Sequence, residues 1–278
     1  MGRYLLSQIA ANAGKAKPFA LPVFEPTLTQ ERELRRIIRL LLKEWDSAVR
    51  EVAIPAYQRV ARFGEPGEIG LGFGGADAVR QLDQALRRAT DRTAAVASEM
   101  SPAVEKHFRQ MAKWHQAKFV ESIRASTGAN VSPLMSVDAA ESALQIATRR
   151  HVALIKGLNA EMAKKVETAV LDSFESRYAI RDLRKRLTDD LGFAEGRAKI
   201  IAQDQIGKYT VALDRARHEE AGVTKYRWWT QLDDKVRPSH AEKHGEIFSW
   251  DDPPSDTGHP GEDINCRCRP MAYVEPRN

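Results

Sequence analysis

The chain has 278 residues, a formal net charge of +5 and a pI of about 9.2. Hydrophobic residues make up 42% and charged residues 29%, which is typical of a globular protein with one large or two smaller domains. No apolar run approaches the ~20 residues of a membrane-spanning helix, and the N-terminus lacks the apolar core of a signal peptide. The small positive excess predicts only weak, salt-sensitive and sequence-independent attraction to DNA.

The N-terminal part of the chain divides at residue 26. Residues 1–26 contain several prolines and no long periodic pattern, which predicts an extended arm that becomes ordered on a partner. Thr27 and Gln30 have the spacing of a capping box at the start of a long helix. Apolar residues then recur at helical spacing, and Pro55 is expected to end or bend this helix.

A glycine-rich stretch at 62–75 separates the first helix from a series of others. Its GLGFGG run lacks the preceding strand and the following Lys-Ser/Thr of a phosphate loop, so it predicts a flexible connection. Further helices are predicted from Asp77, and over 101–126, 137–156, 159–174, 180–190 and 194–221, with glycines at several of the breaks. Core or rim positions are predicted for four residues of the helix from Ser101, because no cysteine or carboxylate cluster accompanies them in the sequence: His107, Met111, Trp114 and His115.

After Gly222 the pattern changes from helical to alternating. A strand is predicted around Tyr226 and Trp228, which share one face while Trp229 lies on the other, and a second strand is predicted over 246–250. Packing of a small sheet is the expected role of these aromatic residues, with a base-stacking platform as the alternative. The predicted fold is therefore mainly α, with long N-terminal helices in an elongated helical body and a small α+β C-terminal module.

This C-terminal module concentrates the residues that bind metals. Both cysteines of the chain, Cys266 and Cys268, follow closely behind three of its seven histidines. Two thiolates need two further ligands to close a zinc tetrahedron. The predicted metal ligands are His240, His259, Cys266 and Cys268, with His244 as the alternate ligand. Buried free thiols or a redox pair are the other interpretations, whereas a disulfide across so tight a ring would be strained.

The same stretch carries a resemblance to a known family. The motifs Trp228-Trp229-Thr230, Val236-Arg237-Pro238 and Cys266-Arg267-Cys268, together with Asp233 and His240, resemble the Mu F-like phage head morphogenesis family. The resemblance extends from about residue 158 to 274. Together with the patterns upstream, it predicts three segments: an extended arm over 1–26, a helical portal- or partner-binding region over 27–157, and a Mu F-like domain over 158–278 whose α+β cap begins near 223.

The resemblance implies a structural minor head protein of a tailed phage, with no catalytic residue. A structural zinc, predicted from the cysteine and histidine residues, is the one cofactor expected. Its expected location is the virion, in the head interior at the portal vertex, after assembly in the host cytoplasm. Its expected partners are the portal protein and capsid or scaffold proteins, with several copies around the portal and no membrane contact as a free protein. Weak, non-specific contact with packaged double-stranded DNA is also implied, with a role in head assembly, packaging or DNA ejection.

Two other functions stay open at the level of sequence. In a metal-dependent nuclease, the acid/base or metal-binding groups would be Asp233, His240, His244 and Asp263. Such an enzyme needs an open metal position and a bound water, whereas two thiolates favour a closed structural site. A DNA-binding module without enzymatic activity is the third interpretation, and it predicts a steep salt dependence of DNA affinity.

Overall fold

The computed structural model describes residues 5–61, 75–136, 138–176 and 178–277, so most of the glycine-rich stretch lies outside the described residues. The α-helices are α1 (Leu6–Asn12), α2 (Leu28–Ala48), α3 (Ile54–Ala61), α4 (Gly75–Glu99), α5 (Ser101–Thr127), α6 (Glu141–Glu175), α7 (Ile180–Glu220) and α8 (Pro238–Ala241). The strands are β1 (Phe19–Ala20), β2 (Lys225–Trp229), β3 (Ile247–Ser249) and β4 (Arg269–Val274). A search of the described helices finds none that combines the length and apolar content of a membrane span. The predicted mainly α fold with a small C-terminal α+β module is confirmed.

The capping box at the start of α2 is confirmed. The backbone N–H of Thr27 donates to Gln30 Oε1 at 2.8 Å, and the backbone N–H of Gln30 donates to Thr27 Oγ1 at 3.2 Å. The predicted bend before Pro55 takes the form of a π-helical segment, Val49–Ala53, between α2 and α3. A proline has no N–H and crowds the preceding turn, and a local widening of the helix accommodates both effects.

Two predicted helix breaks do not occur. Helix α6 continues through Gly157, and α7 continues through Gly192 as a single 41-residue helix. Glycine inside a helix costs only about 1 kcal/mol relative to alanine. Buried apolar residues continue on both sides of each glycine, including Ile155 and Leu158 in α6. Their burial outweighs the local penalty, so the glycines are tolerated within the helices.

The described part of the N-terminal 26 residues also differs from the predicted extended arm. Helix α1 and strand β1 both lie within it, and Leu6, Ala10 and Leu21 are fully or almost fully buried. These residues belong to one apolar cluster with Val223 and Val274. The prediction was wrong because it took the prolines as a sign of an extended arm. They lie in the connections around β1, where a missing backbone N–H removes no hydrogen bond of a helix or a sheet.

The sheet is antiparallel throughout, with the strand order β1-β4-β2-β3. Tyr226 and Trp228 of β2 are buried while the residues beside them are half-buried, which confirms the predicted alternation. Strand β4 was not predicted, because its sequence begins with arginine and proline. Pro270 nevertheless pairs with Trp228 in the register of β2 and β4. Strand β4 thus joins the N-terminal β1 to the C-terminal module, although its sequence did not predict a strand.

Contacts within the chain define two compact units made of separated segments. The sheet unit comprises residues up to 33, 105–149 and from 202 onward, and the helical unit comprises 34–104 and 150–201. The sheet unit contains β1 to β4 and all the predicted metal ligands. The predicted domain boundary after residue 157 falls inside α6, so compact packing does not follow that linear division.

Tyr57 makes the most informative polar contact inside the helical unit. Its hydroxyl lies 2.9 Å from the Ser173 carbonyl oxygen and 2.7 Å from that of Tyr178, so one proton serves two acceptors. Tyr57→Phe should therefore lower the free energy of unfolding by about 1–3 kcal/mol, because the Tyr178 carbonyl loses this donor and the Ser173 carbonyl keeps only the Tyr178 backbone N–H. Urea titration followed by circular dichroism measures this. Tyr178→Phe is the matched control, because that side chain is 50% exposed and its loss should change stability by less than about 0.5 kcal/mol.

Candidate metal centre

Three of the predicted ligands lie together in the sheet unit. The ligand atoms of His240, Cys266 and Cys268 all lie within 4.8 Å of one another, and all three residues are buried. The Nδ1 atom of His240 is 3.4 Å from the Sγ atom of each cysteine. Tetrahedral zinc, with Zn–S of ~2.3 Å and Zn–N of ~2.0–2.1 Å, places nitrogen and sulfur about 3.6 Å apart. The arrangement therefore fits a tetrahedral metal ion with little adjustment.

Local sequence explains how these side chains meet. Pro238 occupies the first turn of α8, where a missing N–H has no cost, and the short helix turns His240 inward until only 2% of it is exposed. Cys266 and Cys268 lie immediately before β4, so the pairing of β4 with β2 fixes their position. Helix α8 therefore holds His240 on one side of the cluster, and the residues before β4 hold the two cysteines on the other.

A second set of contacts orients the ligands. The Nε2 atom of His240 is 3.1 Å from Asp263 Oδ2, which holds the ring with Nδ1 towards the sulfurs. This carboxylate–histidine arrangement is typical of metal-binding histidines. The backbone N–H of Gly261 donates to Cys266 Sγ at 3.3 Å. Gly261 has a φ of +84°, and a Cβ there would lie 2.7 Å from Val211 Cγ2, so only glycine fits this contact.

The contact between the two thiols shifts their pKa values in opposite directions. Hydrogen bonding with Cys268 lowers the pKa of Cys266 to about 5, and the same contact raises the pKa of Cys268. Burial raises the pKa of both thiols. Trp228 and Thr230 act in the opposite direction on Cys268, because their donors favour its thiolate. Metal binding would require both sulfurs as thiolates, so a bound cation would displace the remaining thiol protons.

The other two predicted histidines have different partners. His259 Nδ1 is 3.0 Å from the Tyr226 hydroxyl, and burial lowers the pKa of this imidazole. His244 accepts a hydrogen bond from the Thr230 backbone N–H at 3.2 Å. Among the described residues, neither histidine belongs to the group that could share a metal with Cys266 and Cys268. Their roles as fourth and alternate ligand remain predictions.

Of the predicted nuclease groups, His240 and Asp263 are in contact, whereas Asp233 has a different partner. Both carboxylate oxygens of Asp233 are bonded to Arg267, which lowers the pKa of that carboxyl. Asp263 is bonded to His240 on the side opposite the sulfurs. The two carboxylates therefore act as partners of a guanidinium and of an imidazole, respectively.

Comparison with known proteins locates this site within one family segment. Residues 164–271 match the family model described as Phage Mu protein F like protein. The chain carries a Mu F-like segment. This confirms the resemblance predicted from the motifs of the C-terminal module. The three clustered ligands, α8, β2 and β3 all lie within the Mu F-like segment, and β4 begins within it.

One curated relative matches part of the chain. It is an uncharacterized protein of Haemophilus influenzae strain Rd, 45% identical over 121 residues. The match covers 44% of this chain and 27% of that protein, so the chain spans about a quarter of the relative's length. No solved structure matches this chain.

Sequence reasoning missed several buried polar residues of the sheet unit. His115 is fully buried, as expected for a core position, and its Nε2 lies 2.7 Å from Oδ1 of the buried Asp214. The two residues are 99 positions apart, so local spacing could not reveal this pair. Arg269 is also buried, with 5% exposure. The local sequence offered one signal for the burial of Asp214. The residue lies on α7 close to Val211, Leu213 and Arg217, which are also buried.

Proposed function

We propose that this protein is a structural minor head protein of a tailed phage, located in the head interior at the portal vertex. The match of residues 164–271 to the Phage Mu protein F like family carries this proposal. In this role the chain binds the portal protein and capsid or scaffold proteins in several copies, and it assists head assembly, DNA packaging or delivery. Packaged DNA is held only weakly, because the net charge is a modest +5.

We further propose that the Mu F-like segment contains a structural zinc ion held by His240, Cys266 and Cys268. The sulfur–nitrogen separations and the Asp263 contact support zinc, and two thiolates favour a structural role over turnover. His259 is the proposed fourth ligand and His244 the alternate. To reach the metal, His259 must give up a present contact, either with the Tyr226 hydroxyl or with the Trp250 backbone.

Zinc has a clear structural task at this position. Between β2 and β4 the chain runs for 39 residues, from 230 to 268, with only the four-residue α8 and the three-residue β3 as regular elements. Such a segment buries little apolar surface for its length, so its ordering entropy needs another source of stabilisation. A metal that joins α8 to the start of β4 closes this long loop at its base.

Asp263 provides a test of the proposed zinc site that leaves the three ligands in place. Asp263→Ala should weaken zinc affinity about 10–100-fold, because His240 loses the carboxylate that orients its ring. Competition with a zinc-binding chromophore measures the affinity. Asp251→Ala is the matched control, since Asp251 is an exposed carboxylate of the same unit and has no contact with His240. Equal affinities for both variants would contradict the proposed geometry.

The head function is tested on particles. Heads purified from the phage that encodes this chain should contain it, and mass spectrometry should find it with the portal protein after washing at high salt. Heads that lack the chain would contradict the proposal. Incubation of the purified protein with DNA and Mg²⁺ or Mn²⁺ tests the nuclease alternative, and cleavage that disappears in His240→Ala would favour the enzyme.

A further inference from the structure

A polar cavity of about 360 Å³ lies in the sheet unit beside the metal ligands. Its lining comes from α7, from residues at and just before the start of α2, from the loops before β4, and from the first residue of β4. The lining residues are Pro26, Glu31, Gln203, Gly207, Lys235, Asn265, Cys266, Arg267 and Arg269. Three of these residues are cationic and one is anionic. The volume is about ten times the ~30 Å³ that a water molecule occupies in the liquid, so a small ion with its waters fits.

Arg269 is the unusual residue of this cavity. The side chain is 5% exposed, and its Nη1 donates to the Cys268 carbonyl at 2.9 Å. Its Nε is buried without a hydrogen-bond partner, and none of the described carboxylates lies within ion-pair distance. Burial lowers the pKa of Arg269, and Asp214 and Cys266 oppose this effect only from a greater distance. A buried guanidinium has five donors, so this one retains unused capacity for an anion.

Gly207 leaves the guanidinium accessible from α7. A Cβ at this position would lie 3.6 Å from Arg269 Nη2 and 3.8 Å from Nη1. Glycine in the middle of a long helix is unfavourable relative to alanine. Here it keeps the space in front of a buried cation free of side-chain atoms. That space is part of the cavity, because both residues line it.

The rim adds donors of several kinds. Lys235 is exposed, and the amides of Gln203 and Asn265 line the same cavity. Arg267 contributes less, because Asp233 already binds its guanidinium. The negative charge of Glu31 weakens the binding of an anion in this cavity. The balance of groups therefore favours a single oxyanion group close to Arg269 and Lys235.

We propose that this cavity binds a phosphate-type oxyanion, either free phosphate or a phosphodiester group of nucleic acid. Guanidinium groups bind phosphate oxygens through paired N–H donors, and a buried guanidinium does so with less competition from water. Cys266 lines the cavity and is also a proposed zinc ligand, but the proposed anion contacts are made by Arg269 and Lys235, which are not metal ligands. The anion proposal does not rest on the proposed head function. Failure of one proposal leaves the other intact.

Calorimetric titration of the zinc-loaded full chain with inorganic phosphate tests the site, with chloride at matched ionic strength as the reference. Lys235→Ala should weaken phosphate binding about threefold, and Glu31→Gln should strengthen it by a similar factor, because each changes one rim charge. Lys106→Ala is the matched control, since Lys106 is exposed on α5 and does not line the cavity. Its affinity should equal that of the wild type.

Gly207→Ala gives the sharpest result. The added methyl group meets its neighbours at ordinary contact distances, so the variant should fold and should melt at a higher temperature without phosphate. It should also bind phosphate about tenfold more weakly, because the methyl group occupies the approach to Arg269. A purely structural Arg269 would give the higher melting temperature without any change in phosphate binding.

The source of the anion is decided by competition. If a short double-stranded DNA displaces phosphate from the wild type but not from Gly207→Ala, the phosphodiester backbone is the ligand. If phosphate binds and DNA does not compete, free phosphate is the ligand. Absence of phosphate binding to the wild type, or equal binding by all the variants, would refute the proposal.

Discussion

Replacement of Cys266 and Cys268 by serine should abolish zinc binding and unfold the C-terminal sheet, while most of the helical signal persists. Structural zinc contributes about 10–16 kcal/mol of apparent binding free energy in small sites. A whole domain is stable by only about 5–15 kcal/mol. Elemental analysis should find zinc in the wild type and none in the double variant. Near-UV circular dichroism should lose the signal of the packed Trp228 and Trp250, while the far-UV signal at 222 nm changes little.

Histidine variants supply the controls for this experiment. His240→Ala should lose zinc, because this residue provides the nitrogen nearest both sulfurs. His244→Ala should keep it, since His244 is exposed and bonded to the Thr230 backbone. His259→Ala tests the fourth ligand, and a tenfold or greater loss of affinity is expected if His259 binds the metal. Wild-type protein that contains no zinc after expression in zinc-supplemented cells would rule out the structural metal.

The combined substitution Leu6→Ala and Leu21→Ala should be the most destabilising change outside the metal site. Both leucines are at most 1% exposed and pack in one cluster with Phe24, Phe119 and Val274. Truncation of a buried leucine costs about 2–5 kcal/mol, so the pair should cost roughly 4–10 kcal/mol if the two effects add. Urea denaturation followed by near-UV circular dichroism measures this loss in the full chain.

Two exposed leucines provide the matched control for the buried pair. Leu5 is 41% exposed and Leu28 is 66% exposed, so Leu5→Ala with Leu28→Ala removes the same number of atoms from the same part of the chain. We expect this control to change stability by less than about 1 kcal/mol. If both double variants lose equally little, residues 5–26 would act as the detachable arm that the sequence predicts.

Strand β4 connects these two experiments. Cys268 precedes its first residue, and Val274 at its end pairs with Phe19 of β1. The proposed zinc fixes the beginning of the strand, and the N-terminal residues cover its far edge. Loss of either one should therefore be transmitted to the pairing between β4 and β2. Hydrogen exchange at the backbone amides of β4 should increase in both double variants and in neither control.

The features that sequence predicted correctly are local ones. A capping box involves residues three positions apart, and the buried face of β2 follows from alternation over five residues. The Mu F-like resemblance likewise rests on motifs within one stretch. The two cysteines lie two positions apart, so their closeness to each other was fixed before folding. In each case the decisive interaction spans few residues.

The missed features depend on distant segments. The pairing of β1 with β4 brings together residues separated by most of the chain, and no local pattern marks either strand. His115 and Asp214 meet across 99 positions. The continuity of α6 and α7 through Gly157 and Gly192 reflects packing of the neighbouring apolar residues, which outweighs a glycine's local penalty.

By itself, the sequence determined a mainly helical protein with a small C-terminal sheet, because periodicity acts over a few residues. It also placed the candidate metal ligands in one C-terminal stretch. Only the tertiary structure decided which histidine faces the two sulfurs and how the N-terminal residues complete the sheet. It also decided that Arg269 is buried behind Gly207, where it lines a polar cavity. In each case a side chain is buried by elements that are far away in the chain. The free energy of burying a polar or charged group depends on those elements and not on the residues next to it in sequence.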